Sequence, residues 1–237
     1  MLRKDHFKNT VMKKLLFLFT ALLLSGAAGA QGSVAKKEMR SLLTFHAGPS
    51  FPVGDFSSKS FDNEHAGFAN TGVTLNLNYA YQFQKTVGVT GTVFYNRNNT
   101  KKTIPVIVEE GPDVALHLDH WQFYGITAGP VLSFELAPKL FTDLRVMGGV
   151  ANANSPKITY EGIVIAKEDW SVTPVLQGGL NLRYNTGNRF FVYTGVDYLY
   201  LKPTFNYTYL DISEIPSQEI KQKISVLNVS AGVGIRF

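Results

Sequence analysis

From about residue 41 to the last residue, apolar and polar side chains alternate almost without a break. Eight stretches of period two stand out, at about 41–54, 69–83, 86–97, 120–135, 140–152, 170–184, 190–202 and 224–237. Period two is the repeat of an extended strand, whose successive side chains point to opposite faces. No long amphipathic helix interrupts the series. The links differ in length by turns. Gln84-Lys85, Leu136-Ala137-Pro138-Lys139 and Asn185-Thr186-Gly187-Asn188-Arg189 are short, and the four links between them are long.

The two faces of each stretch differ in chemistry. In the last one, Leu227, Val229, Ala231, Val233, Ile235 and Phe237 share a side, opposite Asn228, Ser230, Gly232, Gly234 and Arg236. The stretch at 170–184 sets Val172, Leu176, Leu180, Leu182 and Tyr184 against Thr173, Gln177, Asn181 and Arg183. Carried through all eight, the apolar side reads as free of charge. A basic residue facing the middle of a bilayer costs about 2–4 kcal/mol, so a lipid-facing surface should show that absence. Aromatics on this side fall in two groups. Tyr81, Phe83, Phe134, Tyr184, Phe190 and Phe237 lie at the short-link end; Phe51, Tyr95, Tyr124, Tyr198 and Tyr200 lie toward the long-link end. Two aromatic belts flanking an aliphatic band are the girdles of a membrane barrel.

The pattern therefore predicts an all-β fold, an eight-stranded antiparallel up-and-down transmembrane β-barrel over 41–237. Short turns face the periplasm and long loops face outward. A soluble lipocalin-like barrel, with its apolar side inward, is the competing fold. Pro49, Pro130 and Pro174 interrupt strands that have no free edge, and bulges are expected there.

Charge changes the picture at the N-terminus. The chain carries a formal +5, but residues 1–30 hold +4 of it. Lys13-Lys14, the apolar run Leu15 to Leu24 and the small residues ending at Ala30 read as a secretory signal peptide, cleaved near Ala30, with Met1 or Met12 as the start. Residues 31–40 form a short periplasmic lead. The near-neutral remainder lacks the basic stripe that nucleic-acid binding needs. With no cysteine, thiolate metal sites and disulfides are excluded.

Candidate chemistry is sparse, and neither a catalytic motif nor a cofactor site is expected. The inward side carries Glu135, Asp143, Arg145, Arg183 and Arg236 near the short-link end, with Asp197 and Gln177 about midway. Charges inside a narrow barrel must be paired, so these seven are expected to form a polar network that plugs it. A gated ion path is the alternative. His117, Asp119 and His120 are too strand-like in pattern to converge on a metal. A lipid-modifying enzyme would need a nucleophile and base on the lipid side, and no histidine lies there. Residues 103–109 and 113–119 read as a hairpin around Gly111-Pro112, and 157–160 with 162–167 as another. Such hairpins present edges to an extracellular partner. Residues 204–210 are expected to expose aromatics.

The opening stretch FHAGPSFPVGDF, Phe45 to Phe56, resembles the first strand of PorT-like outer-membrane β-barrel proteins common in Bacteroidetes. The closing VLNVSAGVGIRF ends on an aromatic, and resembles the terminal signal read by outer-membrane assembly machinery. The resemblance spans 31–237 and implies an eight-stranded barrel in the outer membrane; a monomer is expected. One branch of that family is linked to protein secretion and gliding. The expected role is structural or surface-interacting, in contact with outer-membrane lipid. A narrow channel, a secretion component and a lipid-modifying enzyme are alternatives.

Overall fold

The structure is a computed structural model. It describes residues 40–237 except 61, 64, 101–103, 107–113, 161–162, 188 and 208–217. The expected signal peptide, residues 1–30, and most of the expected periplasmic lead, 31–40, fall outside the described residues.

Eight long strands form the wall: β1 (Ser41–Pro52), β2 (Ala69–Gln82), β3 (Val87–Thr100), β6 (Trp121–Ala137), β7 (Leu140–Asn154), β10 (Trp170–Asn185), β11 (Phe190–Leu201) and β14 (Ile224–Arg236). Six short strands lie in the long links: β4 (Ile104–Val106), β5 (Val114–Leu118), β8 (Ile158–Tyr160), β9 (Ile163–Ala166), β12 (Thr204–Tyr207) and β13 (Gln218–Lys221). Each wall strand pairs antiparallel with its neighbours in sequence, and β1 pairs with β14 to close the ring. Closure satisfies every strand's backbone groups within the wall, as a bilayer requires. Thr142 and Thr194 face outward and donate their hydroxyls to the Asn181 and Ser230 carbonyls.

The outward face is apolar and bare. Val172 is 76% exposed and Val146 63%. An apolar surface this large belongs against lipid. All eleven girdle residues point outward; Tyr95 and Tyr200 are half-buried and the rest exposed. The expectation of a charge-free outer face needs one correction. Arg97, within the stretch 86–97, shares the outward parity of Val93 and Tyr95 and is exposed, and Lys202, exposed just past β11, shares that of Tyr198 and Tyr200.

The prolines need no bulges. Register shifts occur at Ala69/Gly72, Glu135/Ala137 and Ile158/Thr159, never at a proline. On the β14 side, Ala47 pairs Ala231 and Ser50 pairs Asn228, so both strands advance equally across Gly48-Pro49. The β7 side of Gly129-Pro130 behaves alike, from Ala128–Gly148 to Val131–Arg145. The preceding glycine supplies the room. A Cβ on Gly48 would sit 2.0 Å from the Val229 carbonyl oxygen, and one on Gly129 2.1 Å from that of Val146. The repeated Ala-Gly-Pro triplet is thus one local device used twice.

The two loop hairpins join. β4 pairs β5, β8 pairs β9, and β5 pairs β8, giving the order β4-β5-β8-β9. Only β4 and β9 are edges, fewer than two free-standing hairpins would offer. β12 and β13 form a separate pair.

Candidate functional site

The interior is layered. Nearest the short turns lie Leu42, Ala80, Phe191 and Tyr193. Above them is a charged layer. Arg145 and Asp197 are 2% and 1% exposed, and the guanidinium grips the carboxylate from two nitrogens: Nη2 lies 2.7 Å from Oδ2 and 2.8 Å from Oδ1, and Nε 3.1 Å from Oδ1. Arg145 Nη2 also donates to the Tyr193 hydroxyl at 3.0 Å, which donates onward to Asn181 Oδ1 at 2.6 Å. The second pair is looser. Arg183 reaches Asp143 at 3.2 and 3.3 Å, while Ser133 donates to Asp143 at 2.6 Å and Gln82 to Ser133 at 2.9 Å. Arg183 also lies over the rings of Phe141 and Phe191, at 4.9 and 5.6 Å. Two cations and two anions are mutually neutralised, which removes most of the cost of burying them.

Register explains the pairing. Arg145 on β7 faces Gly179 on β10, and Gly179 faces Asp197 on β11. The ion pair therefore spans an intervening strand, over a residue with no side chain. A Cβ at 179 would stand 2.0 Å from Asp197 Oδ1 and 2.9 Å from Arg145 Nε. We expect Gly179→Ala to cost about 1–3 kcal/mol through overpacking, measured as a lower urea midpoint for the barrel folded in vesicles. An unchanged midpoint would contradict this role for Gly179.

The seven expected network residues separate. Asp143, Arg145, Arg183 and Asp197 come together as described. Gln177 lies higher and accepts the Thr127 hydroxyl at 2.8 Å. Glu135 does not join the plug: its pairing with Phe141 keeps the register of Ser133, but it stands at the strand's end, exposed at the rim. Arg236 is half-buried at the same rim and donates to the Gly187 carbonyl at 2.9 Å. Beside the pairs a small cavity of about 20 Å³ is lined by Gln82, Ser133, Asp143, Arg145, Arg183 and Tyr193 among others.

The upper interior holds residues that no charge pattern marks. Phe56, Phe94, Trp121, Phe123, Leu199, Leu201, Phe205, Ile224 and Val226 form a buried apolar cluster at the long-link end. Phe56 comes from a 3-10 turn, Gly54–Ser57, in the first long link, and packs edge-on to Trp121 and Phe123. Trp121 Nε1 donates to the Gly67 carbonyl at 2.9 Å, Gln222 to the His65 carbonyl, and Lys223 meets Asp55 at 3.4 Å. A hydrogen bond from Asn63, with Lys223 beside it, holds the Asp55 carboxyl below the ordinary range. Phe205 is fully buried here, contrary to the expectation that 204–210 expose their aromatics; Tyr209 and the rest of 208–210 lie outside the described residues. Phe94 and Phe123 were findable, since they sit on the parity opposite to the girdle residues.

The remaining polar candidates stay apart. His46 Nδ1 meets Ser230 Oγ at 2.8 Å, a hydroxyl–imidazole pair sealed inside the wall. His117 is exposed on β5, while His120 contacts Asp119, Arg97 and Gln122. Among the described residues no three His, Cys, Asp or Glu side chains converge as metal ligands do.

Solved structures share this geometry. The outer membrane protein OprG of Pseudomonas aeruginosa aligns over 85% of this chain and 97% of its own, at 13% identity and a TM-score of 0.53. The fold is that of an outer-membrane β-barrel. The outer membrane protease OmpT of Escherichia coli aligns over 86% and 99%, at 10% identity and a TM-score of 0.50. Neisserial surface protein A aligns over 83% and 97%, at 12% identity and 0.49. No protein-family model matches the chain, and no curated protein does. At these identities the likeness carries the fold and no activity.

Proposed function

We propose that this protein is a non-conducting, non-catalytic outer-membrane barrel that displays a β-sheet to a partner outside the cell. The observation that carries the reading is the filled interior. Paired ions occupy the middle, and an apolar cluster closes the long-link end. With the interior so filled, the sheet β4-β5-β8-β9 is, among the described residues, the feature that favours a role outside the wall. Residues 1–30 act as the export signal in this reading. The ladder closes within one chain, which favours a monomer, and the strand ending at Phe237 is the segment offered to assembly machinery. The PorT-like resemblance of Phe45 to Phe56 accords with that placement, and a link to secretion stays an alternative.

Two measurements test it. In planar bilayers the folded protein should give no stable single-channel steps; steps abolished by Arg145→Ala would establish a channel instead. Replacing 103–118 with a short Gly-Ser linker should leave the barrel heat-modifiable on gels and abolish binding to intact host or neighbouring cells. Undiminished binding would sink the display role.

A further inference from the structure

Among the described residues of the wall strands, Arg97 is the one outward cation, and it stands in a specific place. Its strand partner on β6 is Gln122, and the row two residues nearer the bilayer centre is the girdle pair Tyr95–Tyr124. Arg97 is therefore about 7 Å beyond the aromatic belt, at the height where lipid headgroups begin. A guanidinium there costs little, yet it gains nothing from an apolar neighbour such as Val73 across β2.

Its surroundings are polar and ordered. Arg97 Nη2 lies 3.2 Å from His120 Nδ1, and the other ring nitrogen of His120 meets Gln122. Among the described residues that is the only recorded contact of Arg97, so Nε and Nη1 keep their donors. Asp119 is turned to His120, accepting its backbone N–H at 2.9 Å. Partial burial alone would raise the Asp119 carboxyl. The hydrogen bonds from His120, its charge and that of Lys157 outweigh this and hold it below the ordinary range. Lys157, whose carbonyl accepts the Asp119 N–H at 3.0 Å, adds a second cation beside the cluster. Glu168 accepts from Asn154 Nδ2 at 3.2 Å, and Asn154 stands two strands along the row from Arg97.

Below the cluster the surface suits an acyl chain. Tyr124 is propped by Asn152 at 2.9 Å and by the Trp170 ring at 5.8 Å. Past Val93 and Ile126, the outward row Gly91, Ala128 and Gly148 leaves the wall shallow. We propose that Arg97, with Gln122, His120 and Lys157, binds a phosphate of an anionic outer-leaflet lipid whose chains lie over the Tyr95–Tyr124 belt. Guanidinium and phosphate geometry match, and the outward, belt-level position selects a lipid over a soluble anion.

The test is native mass spectrometry of the full chain folded in micelles doped with bis-phosphorylated lipid A, or with the same lipid stripped of both phosphates. The wild type should retain the phosphorylated lipid about tenfold more than the stripped one, the worth of one charge-assisted hydrogen bond. Arg97→Gln should bring the two to parity, while Lys85→Gln at a short turn leaves the ratio unchanged. Heat modifiability confirms that each variant is folded. Equal retention of both lipids by the wild type, or an unaltered ratio in Arg97→Gln, overturns the site. Displacement of the lipid by an equal concentration of inorganic phosphate would reassign it to a soluble anion, and that also overturns the proposal.

Discussion

Arg145→Ala should destabilise the folded barrel by about 3–5 kcal/mol, because it strands the Asp197 carboxylate in a wall interior with no replacement partner. The equilibrium urea midpoint in phospholipid vesicles is the measurement. Asp197→Leu should cost a similar amount, for the mirror reason that it leaves the guanidinium unpaired. The double variant Arg145→Met/Asp197→Leu should regain most of the loss, since an apolar pair of similar volume removes both charges together. The loss should be smaller for Arg183→Ala. Its contacts are longer, and Asp143 keeps the Ser133 hydroxyl at 2.6 Å. If both single variants at 145 and 197 stayed within about 1 kcal/mol of the wild type, the pair would be an ornament of the fold instead of one of its supports.

Phe56→Ala should release the first long link from the barrel mouth. The ring is completely buried, and deleting a buried Phe typically costs about 3–5 kcal/mol. Here the wall can survive the loss, so most of the effect should be local. Trp121 reports it directly, because its ring packs on Phe56 and its Nε1 binds the carbonyl of Gly67 in the same link. The chain's other tryptophan, Trp170, faces outward and is removed by Trp170→Phe. In that background Phe56→Ala should shift the Trp121 emission to the red and expose 53–68 to added protease. An unshifted emission with the link still protected would show that Phe56 is not what holds it.

The wall was legible because its two faces meet different solvents, and period two records that difference residue by residue. Boundaries slipped where the signal faded: β3 continues through Asn98 and Asn99, polar residues that look like the start of a loop. The charged members of the interior were legible from parity, but their pairing was not. Arg145 finds Asp197 only because register sets Gly179 between them, and nothing local to either charge specifies that. Glu135 was misplaced because alternation gives a residue's side of the wall and not how far it stands from the rim. The mouth cluster was half legible. Phe94 and Phe123 betray themselves by parity, whereas Phe56 and Phe205 arrive from links whose tertiary fold no period encodes. The joining of β5 to β8 is likewise a long-range pairing between two links, each of which reads as a self-contained hairpin.

The layering of the interior makes the two ends of the barrel unequal toward water. Arg183 and Asp143 border a small cavity beside Leu42 and Ala80, near the short turns, while Phe56, Trp121 and Phe123 are buried toward the opposite end. Water that enters by the short-turn end thus meets charge first, and water from the other end meets apolar rings. Guanidinium hydrogen exchange followed by NMR should therefore run faster at Arg183, whose partner Asp143 is 8% exposed, than at Arg145, whose partner Asp197 is 1% exposed. Equal rates would show that the two layers are equally shut off from water.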